Sequence, residues 1–285
     1  MITPHTPISF TINVGGQLMD LSHPKVMGIL NVTPDSFYAE SRKATQEAVE
    51  QRVEQLLTEG ADIIDIGAYS SRPGADDVST DEELARLRMG MDVIHRMVPN
   101  AIVSVDTFRA NVARVCVEEM GVHIINDISG GELDKNMFRT VAELGVPYIL
   151  MHMQGTPQTM QQAPHYDNLM ADMLRYFAER IVPLQEMGVK DIIIDPGFGF
   201  AKTLEHNYEL LHHLSDLHAL ELPLLVGVSR KSMIYRLLGT TPAEALNGTT
   251  ALHTIALMQG ASILRVHDVK ECREVVNIVN KTHSC

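Results

Sequence analysis

The sequence has few cysteines, a deficit of positive charge and no long apolar run, and each shortage excludes a class of protein. Its three cysteines among 285 residues show no Cys-x-x-Cys or paired spacing, so we expect reduced thiols and neither a disulfide framework nor a metal cluster. A formal net charge of −13 argues against a nucleic-acid or membrane-surface partner. The apolar runs stay well below the roughly 18 residues of a membrane span. The first residues lack the basic head and apolar core of a secretory signal. These features predict a cytoplasmic protein.

A repeating strand–helix pattern follows a short N-terminal hairpin. Residues 8–21 read as that hairpin, with Gly15-Gly16 at its turn, covering the bottom of the fold. The strand candidates are Val26–Asn31, Ile63–Gly67, Ile102–Asp106, Val122–Asp127, Val146–His152, Asp191–Asp195, Leu222–Ser229 and Ser262–His267. The main helical patterns are 44–59, 79–98, 166–187 and 204–217. Ser79 with Glu82, and Thr80 with Glu83, each fit a capping box at the start of the second helix.

Eight strands alternating with helices predict one domain over residues 1–285, a single (β/α)8 barrel of the α/β class. Every strand candidate ends in polar or loop-forming groups, which include Asn31, Asp106, Asn126, Asp195 and Arg265. Barrel enzymes place their chemistry at this C-terminal mouth. A doubly wound open sheet is the alternative. Its ligand lies at one switch point, however, so that fold would not explain polar residues at the end of every strand.

Asp195 is the most informative of these polar groups. It ends the strand Asp191-Ile-Ile-Ile-Asp195, whose three isoleucines predict burial on both faces. A carboxylate there is costly to desolvate unless something donates hydrogen bonds to it. No Arg or Lys is adjacent in sequence, so the donor is either a ligand or the turn that Asp195 itself caps.

Eight motifs in order along the chain resemble those of the dihydropteroate synthase family. They are Gly28-Ile-Leu-Asn-Val-Thr-Pro-Asp-Ser-Phe37, Ser70-Ser-Arg-Pro-Gly74, Ser104-Val-Asp-Thr107, Ile124-Ile-Asn-Asp127, Met151-His-Met-Gln-Gly155, Asp195-Pro-Gly-Phe-Gly-Phe200, Ser229-Arg-Lys-Ser232 and Arg265-Val-His-Asp268. The resemblance runs from about Leu18 to the C-terminus. It implies a transferase that joins 6-hydroxymethyl-7,8-dihydropterin diphosphate to 4-aminobenzoate in folate biosynthesis. Diphosphate would leave first and the amine would then attack the pterin cation.

The resemblance implies a pterin site whose chemistry agrees with the residue types. A pterin presents an amino group and a ring N–H side by side, and a carboxylate such as Asp195 accepts that pair through two parallel hydrogen bonds. Asp106 and Asn126 would complete the polar edge, and Lys231 would donate to the ring carbonyl. Arg265 would stack on the ring while its N–H groups reach a phosphate.

The remaining expectations also come from the resemblance. Diphosphate would lie among Asn31, Ser71, Arg72, Arg265 and His267. Asn31 would be the protein ligand of a Mg²⁺ ion, which keeps several of its waters and is also coordinated by substrate phosphates. The residues expected to act in catalysis are Lys231, Arg265, His267 and Asn31. The residues expected to contact aminobenzoate are Phe37, Ser71, Pro73, Phe198 and Ser232. The resemblance further implies a homodimer and a family of sulfonamide targets.

The sequence departs from the usual family pattern in two loops, and it leaves other functions to be tested. Tyr38-Ala-Glu-Ser-Arg42 stands where many members have Ser-Asp-Gly-Gly, and Tyr69 stands where they have Glu. A folate-binding methyltransferase would keep the pterin residues without needing a diphosphate cluster. A non-catalytic paralogue would bind pterins without turnover. His152 and His267 also suggest a metal-dependent barrel hydrolase, but such an enzyme needs His-x-His after the first strand, where Asn31-Val-Thr stands.

Overall fold

A computed structural model describes residues 10–33, 42–69, 78–155 and 164–283. The strands within these ranges are β1 (Thr11–Val14), β2 (Gln17–Asp20), β3 (Lys25–Asn31), β4 (Ile63–Gly67), β5 (Val103–Asp106), β6 (Ile124–Asp127), β7 (Tyr148–Met151), β8 (Ile192–Asp195), β9 (Leu225–Val226) and β10 (Ile263–Val266). The α-helices within them are α1 (Arg42–Thr58), α2 (Thr80–Met97), α3 (Ala110–Met120), α4 (Met137–Leu144), α5 (Leu169–Glu186), α6 (Leu204–His212), α7 (Ser232–Leu238), α8 (Leu246–Met258) and α9 (Val269–His283). Short 3₁₀ helices cover Leu214–Leu220 and Pro242–Glu244.

The larger sheet is a closed parallel barrel. Its strand order is β8-β7-β6-β5-β4-β3-β10-β9, with all neighbours parallel. A parallel bridge between Ile194 and Leu224, just before β9, joins the two ends of this order. Helices follow the strands and cover the outside, so the predicted (β/α)8 barrel is confirmed. The open-sheet alternative is wrong because the sheet has no free edges at β8 and β9.

The N-terminal hairpin lies where the sequence predicts it. Strands β1 and β2 pair antiparallel around Gly15-Gly16, and both glycines have positive φ, 59° and 84°, as a tight hairpin turn requires. Ile12 and Val14 of β1 pack on the inward-facing residues at the N-terminal end of the barrel. Those inward-facing residues are Met27, Ile63, Ile124, Ile149, Ile193, Leu225 and Ile263.

This apolar bottom layer fixes which residues face the barrel interior higher up. Side chains in a strand alternate between its two faces, so the residue two positions after each bottom-layer residue also points inward. Ile63 leads to Asp65, Ile124 to Asn126, Ile193 to Asp195 and Ile263 to Arg265. The interior is therefore apolar below and charged above, and the polar layer lies at the C-terminal mouth.

The capping prediction for α2 is half right. Ser79 is the N-cap, and its hydroxyl accepts a hydrogen bond from the Glu82 backbone N–H at 3.2 Å. The Thr80–Glu83 box is wrong because Thr80 is already inside the helix. Glu83 is instead buried, and its carboxylate accepts from the Thr107 hydroxyl at 2.7 Å and pairs with Arg109. No helix in the described ranges is both long and apolar enough to cross a membrane.

Candidate active site

The described residues that the sequence assigned to the site, apart from Phe198, converge at the C-terminal mouth of the barrel. They are Asn31, Asp106, Asn126, Asp195, Lys231, Ser232, Arg265 and His267. Asn31, Asp106 and Asp195 end β3, β5 and β8, and Lys231 precedes α7 as its N-cap. The other predicted site residues, Phe37, Ser71, Arg72 and Pro73, lie outside the described residues. Residues 34–41 and 70–77, which make up most of the two loops that depart from the usual family pattern, also lie outside the described residues.

Arg265 lies between two carboxylates. Its Nε donates to Asp65 Oδ2 at 2.6 Å and its Nη2 donates to Asp106 Oδ2 at 2.8 Å. The same Asp65 oxygen accepts from the Asn126 side-chain amide at 3.1 Å. Side chains from β4, β5, β6 and β10 are thus joined in one network. Asp65 was not among the predicted site residues. Its position as a single acid between Ile64 and Ile66 in an apolar strand could have indicated a functional residue.

The network shifts the pKa values of its members in opposite directions. Burial raises the pKa of Asp106 to about 7, against the lowering effect of Arg265 and with a further increase from Asp65. Burial alone would lower the pKa of Arg265, but Asp65 and Asp106 outweigh it and the pKa lies above its ordinary value. The guanidinium therefore stays charged, whereas Asp106 takes up a proton more readily than an exposed aspartate would.

Asp195 is almost buried, with 7% of its surface exposed. Its Oδ1 accepts the backbone N–H of Gly197 at 2.8 Å, and no side chain in the described part of the chain donates a hydrogen bond to it. Burial raises the pKa of Asp195, while the charge of Lys231 opposes that rise. The turn therefore satisfies only part of this carboxylate, and its remaining capacity suits a ligand with N–H donors.

Lys231 lies across the mouth from the network. Its Nζ donates to the backbone carbonyl of Phe198 and lies 4.5 Å from the centre of the Phe200 ring. Burial lowers the pKa of Lys231 to about 8, and the negative charge of Asp195 opposes this lowering. The ammonium is accordingly close to titration at physiological pH.

The loop between β8 and α6 is held by Lys202, a residue that the sequence analysis missed. Lys202 is buried, and its Nζ contacts His152 Nδ1 at 3.0 Å and the carbonyls of Gly197 and Phe200 at 3.1 Å each. Burial lowers its pKa to about 7, against the effect of Asp195. A Cβ at Gly197 would collide with the His152 carbonyl, so the loop requires glycine there. No sequence signal links Lys202 to His152, because 50 residues separate them.

The predicted contact between Phe198 and aminobenzoate is wrong. Its ring is completely buried in the main core, because the chain turns at Gly197 and Gly199, with φ of 70° and 78°. Only its carbonyl faces the site. Phe200, two residues later, instead packs in a small cluster at the mouth that includes Ile128, Met151, Met153 and Ala201. Both phenylalanines fit the sequence pattern equally well, and the direction of the turn decides between them.

His267 and Asn31 flank the network at the rim. Burial lowers the pKa of His267 to about 4, helped by Arg265 and Arg52, so at pH 7 this residue offers a neutral ring rather than a positive charge. Asn31 and Asp106 lie on either side of Gly67, where a Cβ would stand 3.8 Å from Asn31 Oδ1 and 3.3 Å from the Asp106 Cβ. Asn31 thus presents a neutral oxygen beside the charged network.

Other polar residues of the motifs have structural roles. Asp127 is buried and accepts from the Ser129 backbone and hydroxyl, the Gly131 N–H and the Tyr148 hydroxyl at 2.7–2.8 Å. Arg230 forms a two-bond ion pair with Asp268, at 2.8 Å for each bond. Among the described residues, no group of three or more His, Cys, Asp or Glu side chains could hold a metal ion. With His152 engaged by Lys202, this geometry does not support the metal-dependent hydrolase alternative.

Comparison with known proteins gives a consistent result. The family model described as "Pterin binding enzyme" matches residues 27–267. The dihydropteroate synthase of Escherichia coli (strain K12) is 47% identical over 274 residues, which cover 94% of this chain and 95% of that protein. That of Haemophilus influenzae is 40% identical over 266 residues, covering 93% and 96%.

Solved structures agree with these sequence matches. The Yersinia pestis dihydropteroate synthase in a sulfonamide drug complex superposes with a TM-score of 0.88 at 44% identity, covering 96% of this chain and 99% of that one. The Xanthomonas albilineans dihydropteroate synthase with 4-aminobenzoic acid has a TM-score of 0.87 at 39% identity, covering 97% and 99%.

Proposed function

The chain belongs to the pterin-binding enzyme family, and from that premise we propose how the residues of its barrel mouth carry out the family's reaction. The activity is that of a dihydropteroate synthase, a transferase of folate biosynthesis. It condenses 6-hydroxymethyl-7,8-dihydropterin diphosphate with 4-aminobenzoate to give 7,8-dihydropteroate and diphosphate. This agrees with the sequence resemblance and leaves a folate-binding methyltransferase without support.

The residue assignment depends most on the burial and incomplete hydrogen bonding of Asp195. A buried carboxylate that only one backbone N–H satisfies is costly unless further donors reach it. The amino group and adjacent ring N–H of a pterin supply two such donors in the geometry a carboxylate accepts. Asn126 and Asp106 line the same opening, and Lys231 supplies a donor for the ring carbonyl. We assign these four residues and Arg265 to pterin binding.

The diphosphate end of the substrate needs positive charge in a protein of net charge −13. Arg265 supplies it at the mouth. Its Nε and Nη2 are engaged by Asp65 and Asp106, and no hydrogen bond joins its Nη1 to a described residue. That N–H group can therefore reach a phosphate oxygen without breaking the ion pairs. Asn31 and His267 complete this part of the site together with Ser71 and Arg72, which lie outside the described residues.

The donor set also fits a Mg²⁺ ion held mainly by its substrate. Asn31 offers one neutral oxygen at the rim, and the described residues include no acidic cluster that would hold the ion alone. Mg²⁺ commonly keeps several waters and binds through substrate phosphates. We propose that Asn31 is its protein ligand and that the ion, when bound, neutralises charge on the diphosphate.

Aminobenzoate would enter above the pterin. We propose that the Phe200 ring and the half-buried Ser232 form part of its pocket, with Phe37, Ser71 and Pro73 as further contacts from outside the described residues.

The reaction then needs positioning and electrostatics rather than a protein nucleophile. The bond between the exocyclic carbon and diphosphate oxygen breaks, and its electron pair leaves with the diphosphate, whose charge Arg265 stabilises. Asp195 and Asn126 hold the resulting pterin cation in place. The amine lone pair of aminobenzoate forms the new C–N bond, and one amine proton passes to solvent.

We further propose a cytoplasmic homodimer that sulfonamides inhibit. The support for a dimer is a set of exposed apolar side chains on the last helices, namely Leu237, Leu238, Ile255, Met258 and Ile278. Helices α7 and α8 pack closely, with a Cβ at Gly248 meeting Ile234 and Leu238. The support for inhibition is the sulfonamide complex of the related Yersinia pestis enzyme.

The test is diphosphate release by the purified protein. We expect release that requires the pterin diphosphate and aminobenzoate together and that chelation of Mg²⁺ abolishes. Omission of each substrate in turn is the control. Release that is independent of aminobenzoate would indicate a hydrolase, and no release despite tight pterin binding would indicate a non-catalytic paralogue.

A further inference from the structure

Asp65 is a buried acid that the proposed reaction leaves without a role. It lies in the middle of β4 with 0% of its surface exposed, one layer below the rim. Its register neighbour on β5 is Ser104. The Asp65 Oδ1 and the Ser104 Oγ both lack a hydrogen-bond partner among the described residues. The arrangement around Asp65 therefore does not minimise the cost of burying its charge.

Stability alone does not explain an ionised group at this position. A buried ion pair replaced by well-packed apolar residues is often as stable as before or more so. The layer directly below Asp65 is built from Ile63, Ile124 and their neighbours, so the barrel interior tolerates aliphatic side chains. Asp65 instead carries a charge with one oxygen unpaired among the described residues, which costs free energy.

The other oxygen of Asp65 holds two residues that we assign to the pterin site. Asp65 Oδ2 accepts from Arg265 Nε at 2.6 Å and from Asn126 Nδ2 at 3.1 Å. Arg265 lies on β10 and Asn126 on β6, so one atom of β4 reaches two strands away in each direction. Each bond also decides what its partner presents to the opening. With Nε held by Asp65 and Nη2 by Asp106, Nη1 is the nitrogen of Arg265 that is left for the phosphate. With its NH₂ engaged, Asn126 turns its carbonyl oxygen away from Asp65.

We propose that Asp65 is a positioning residue of this active site, which orients the Arg265 guanidinium toward the phosphate and fixes Asn126 as a hydrogen-bond acceptor for the pterin edge. The inference rests on the proposed function. A carboxamide side chain can present either an acceptor or a donor, and its two orientations differ little in shape. Asp65 removes that ambiguity because an ionised carboxylate only accepts.

The test compares Asp65→Asn with Asp62→Asn. Asp62 forms an ion pair with Arg273 toward the opposite end of the barrel, so its variant also removes one carboxylate charge from an arginine. We expect Asp65→Asn to lower kcat/KM for the pterin diphosphate by about 100-fold and to raise its KM, because the new carboxamide could donate to Asn126 and allow the wrong orientation. Asp62→Asn should stay within about twofold of the wild type.

Calorimetry with two probes separates positioning from a structural role. We expect Asp65→Asn to weaken binding of 6-hydroxymethylpterin at least about tenfold, and to weaken binding of inorganic diphosphate as well. In an Asn126→Ala background the same change should weaken pterin binding by less than about threefold, because the residue it orients is gone. Normal kinetics and binding in a folded Asp65→Asn protein with a reduced Tm would overturn the inference.

Two further observations keep the result interpretable. If Asp65→Asn does not fold, the ¹⁵Nε–H resonance of Arg265 in the wild-type protein, assigned with Arg265→Lys, should be strongly protected from exchange. Exchange as fast as that of a surface arginine would overturn the proposal. Failure of the wild type itself to release diphosphate with aminobenzoate would reject the proposed function instead.

Discussion

At the scale of single residues, burial of ionisable groups is what makes the barrel mouth a site. Asp106, Asp195 and Lys231 have pKa values displaced from their ordinary range mainly by burial, and the pKa of Arg265 is raised because Asp65 and Asp106 outweigh the effect of its burial. Such displacements cluster where proteins bind or transform a ligand. The flat donor pair of a pterin and its anionic diphosphate are complementary to these groups in both charge and shape.

Asp195→Asn should nearly abolish pterin binding. The amide would direct a donor at the donors of the ring, and two charge-assisted hydrogen bonds of about 1.5–3 kcal/mol each would be lost. Calorimetry with 6-hydroxymethylpterin measures the effect. Asp191→Asn is the matched control because Asp191 precedes the same strand at its opposite end. Affinity close to that of the wild type would contradict the assignment of Asp195.

Lys231→Arg should move the alkaline limb of the pH profile. The pKa of Lys231 is lowered to about 8, so the wild-type ammonium loses its charge as the pH rises through that value, and kcat/KM for the pterin diphosphate should fall there. Arginine keeps its charge, so the limb should move upward even if the maximum rate is lower. The measurement is kcat/KM between about pH 6 and 10. An unchanged limb would show that another group titrates.

The sequence predicted which acids and bases reach the mouth but not how they are held. Asp106, Asn126 and Asp195 were predictable because each lies at or next to the end of a strand with an apolar pattern. Lys202 was missed because its partner His152 is 50 residues away in sequence. The position of Asp65 in an apolar strand was visible in the sequence, but its pairing with Arg265, at a separation of 200 residues, was not. Phe198 was assigned to the site in place of Phe200. The sequence does not show which way the glycine-rich loop turns, and that turn directs the Phe198 ring into the core and the Phe200 ring toward the mouth.

At the scale of secondary-structure elements, the loop between β8 and α6 carries the most organised part of the site. Lys202 joins its two ends to β7 through His152. Gly199 N–H donates to the Asn207 side chain at 2.7 Å, and the Tyr166 hydroxyl donates to the Ala201 carbonyl at 2.8 Å. These bonds hold the loop that follows Asp195 and carries Phe200 in a preformed conformation, which reduces the entropy lost on binding.

Lys202→Met should change how stability depends on pH. The pKa of Lys202 is lowered to about 7 in the folded protein, against about 10.4 for an unfolded chain. Between these values the unfolded state binds more protons, so this residue's contribution to the free energy of unfolding is fully present above the higher value and is lost as the pH falls toward 7. Urea unfolding of both proteins from about pH 6 to 10 should show a wild-type stability that rises relative to the variant.

The exposed Lys190 provides the control for that experiment. Lys190→Met should leave the pH dependence of unfolding unchanged. Parallel curves for the wild type and Lys202→Met would contradict the buried position of the Lys202 ammonium.

Elements with strong periodic patterns were predicted well, and an interrupted one was not. The hairpin and most barrel strands lie close to their predicted bounds. The predicted strand Leu222–Ser229 shrinks to β9, Leu225–Val226. Pro223 cannot donate to a sheet, and Arg230, just beyond Ser229, has a left-handed φ of 53°, so regular pairing is lost on both sides.

At the scale of the whole molecule, a single inward-facing register produces both the core and the site. Apolar residues fill the bottom of the closed barrel and charged residues occupy the layers above it, on the same face of the same strands. The barrel was predictable because polar groups at the end of every strand make sense only if all ends meet in one ring. Contacts between the outside of the barrel and a second subunit were not predictable. The hydrophobic pattern of a helix does not distinguish a face that a partner covers from one that is exposed to solvent.

The exposed apolar face of α7 and α8 should mediate self-association. We expect the wild type to sediment as a dimer at micromolar concentration. Ile255→Glu combined with Leu238→Glu should give a monomer because it places charges on that face. Val182→Glu is the control, an exposed apolar residue on α5. A wild-type monomer, or a dimer that survives the double change, would contradict this location.

The assignment of Asp195 to the pterin is tested most directly by a crystal structure of the protein with its pterin diphosphate substrate and no aminobenzoate. We expect the ring amino group and the neighbouring N–H to lie within about 3 Å of the Asp195 carboxylate, with a phosphate oxygen beside Arg265. A pterin bound away from the barrel mouth, or a ring edge that leaves Asp195 with only the Gly197 N–H, would contradict it.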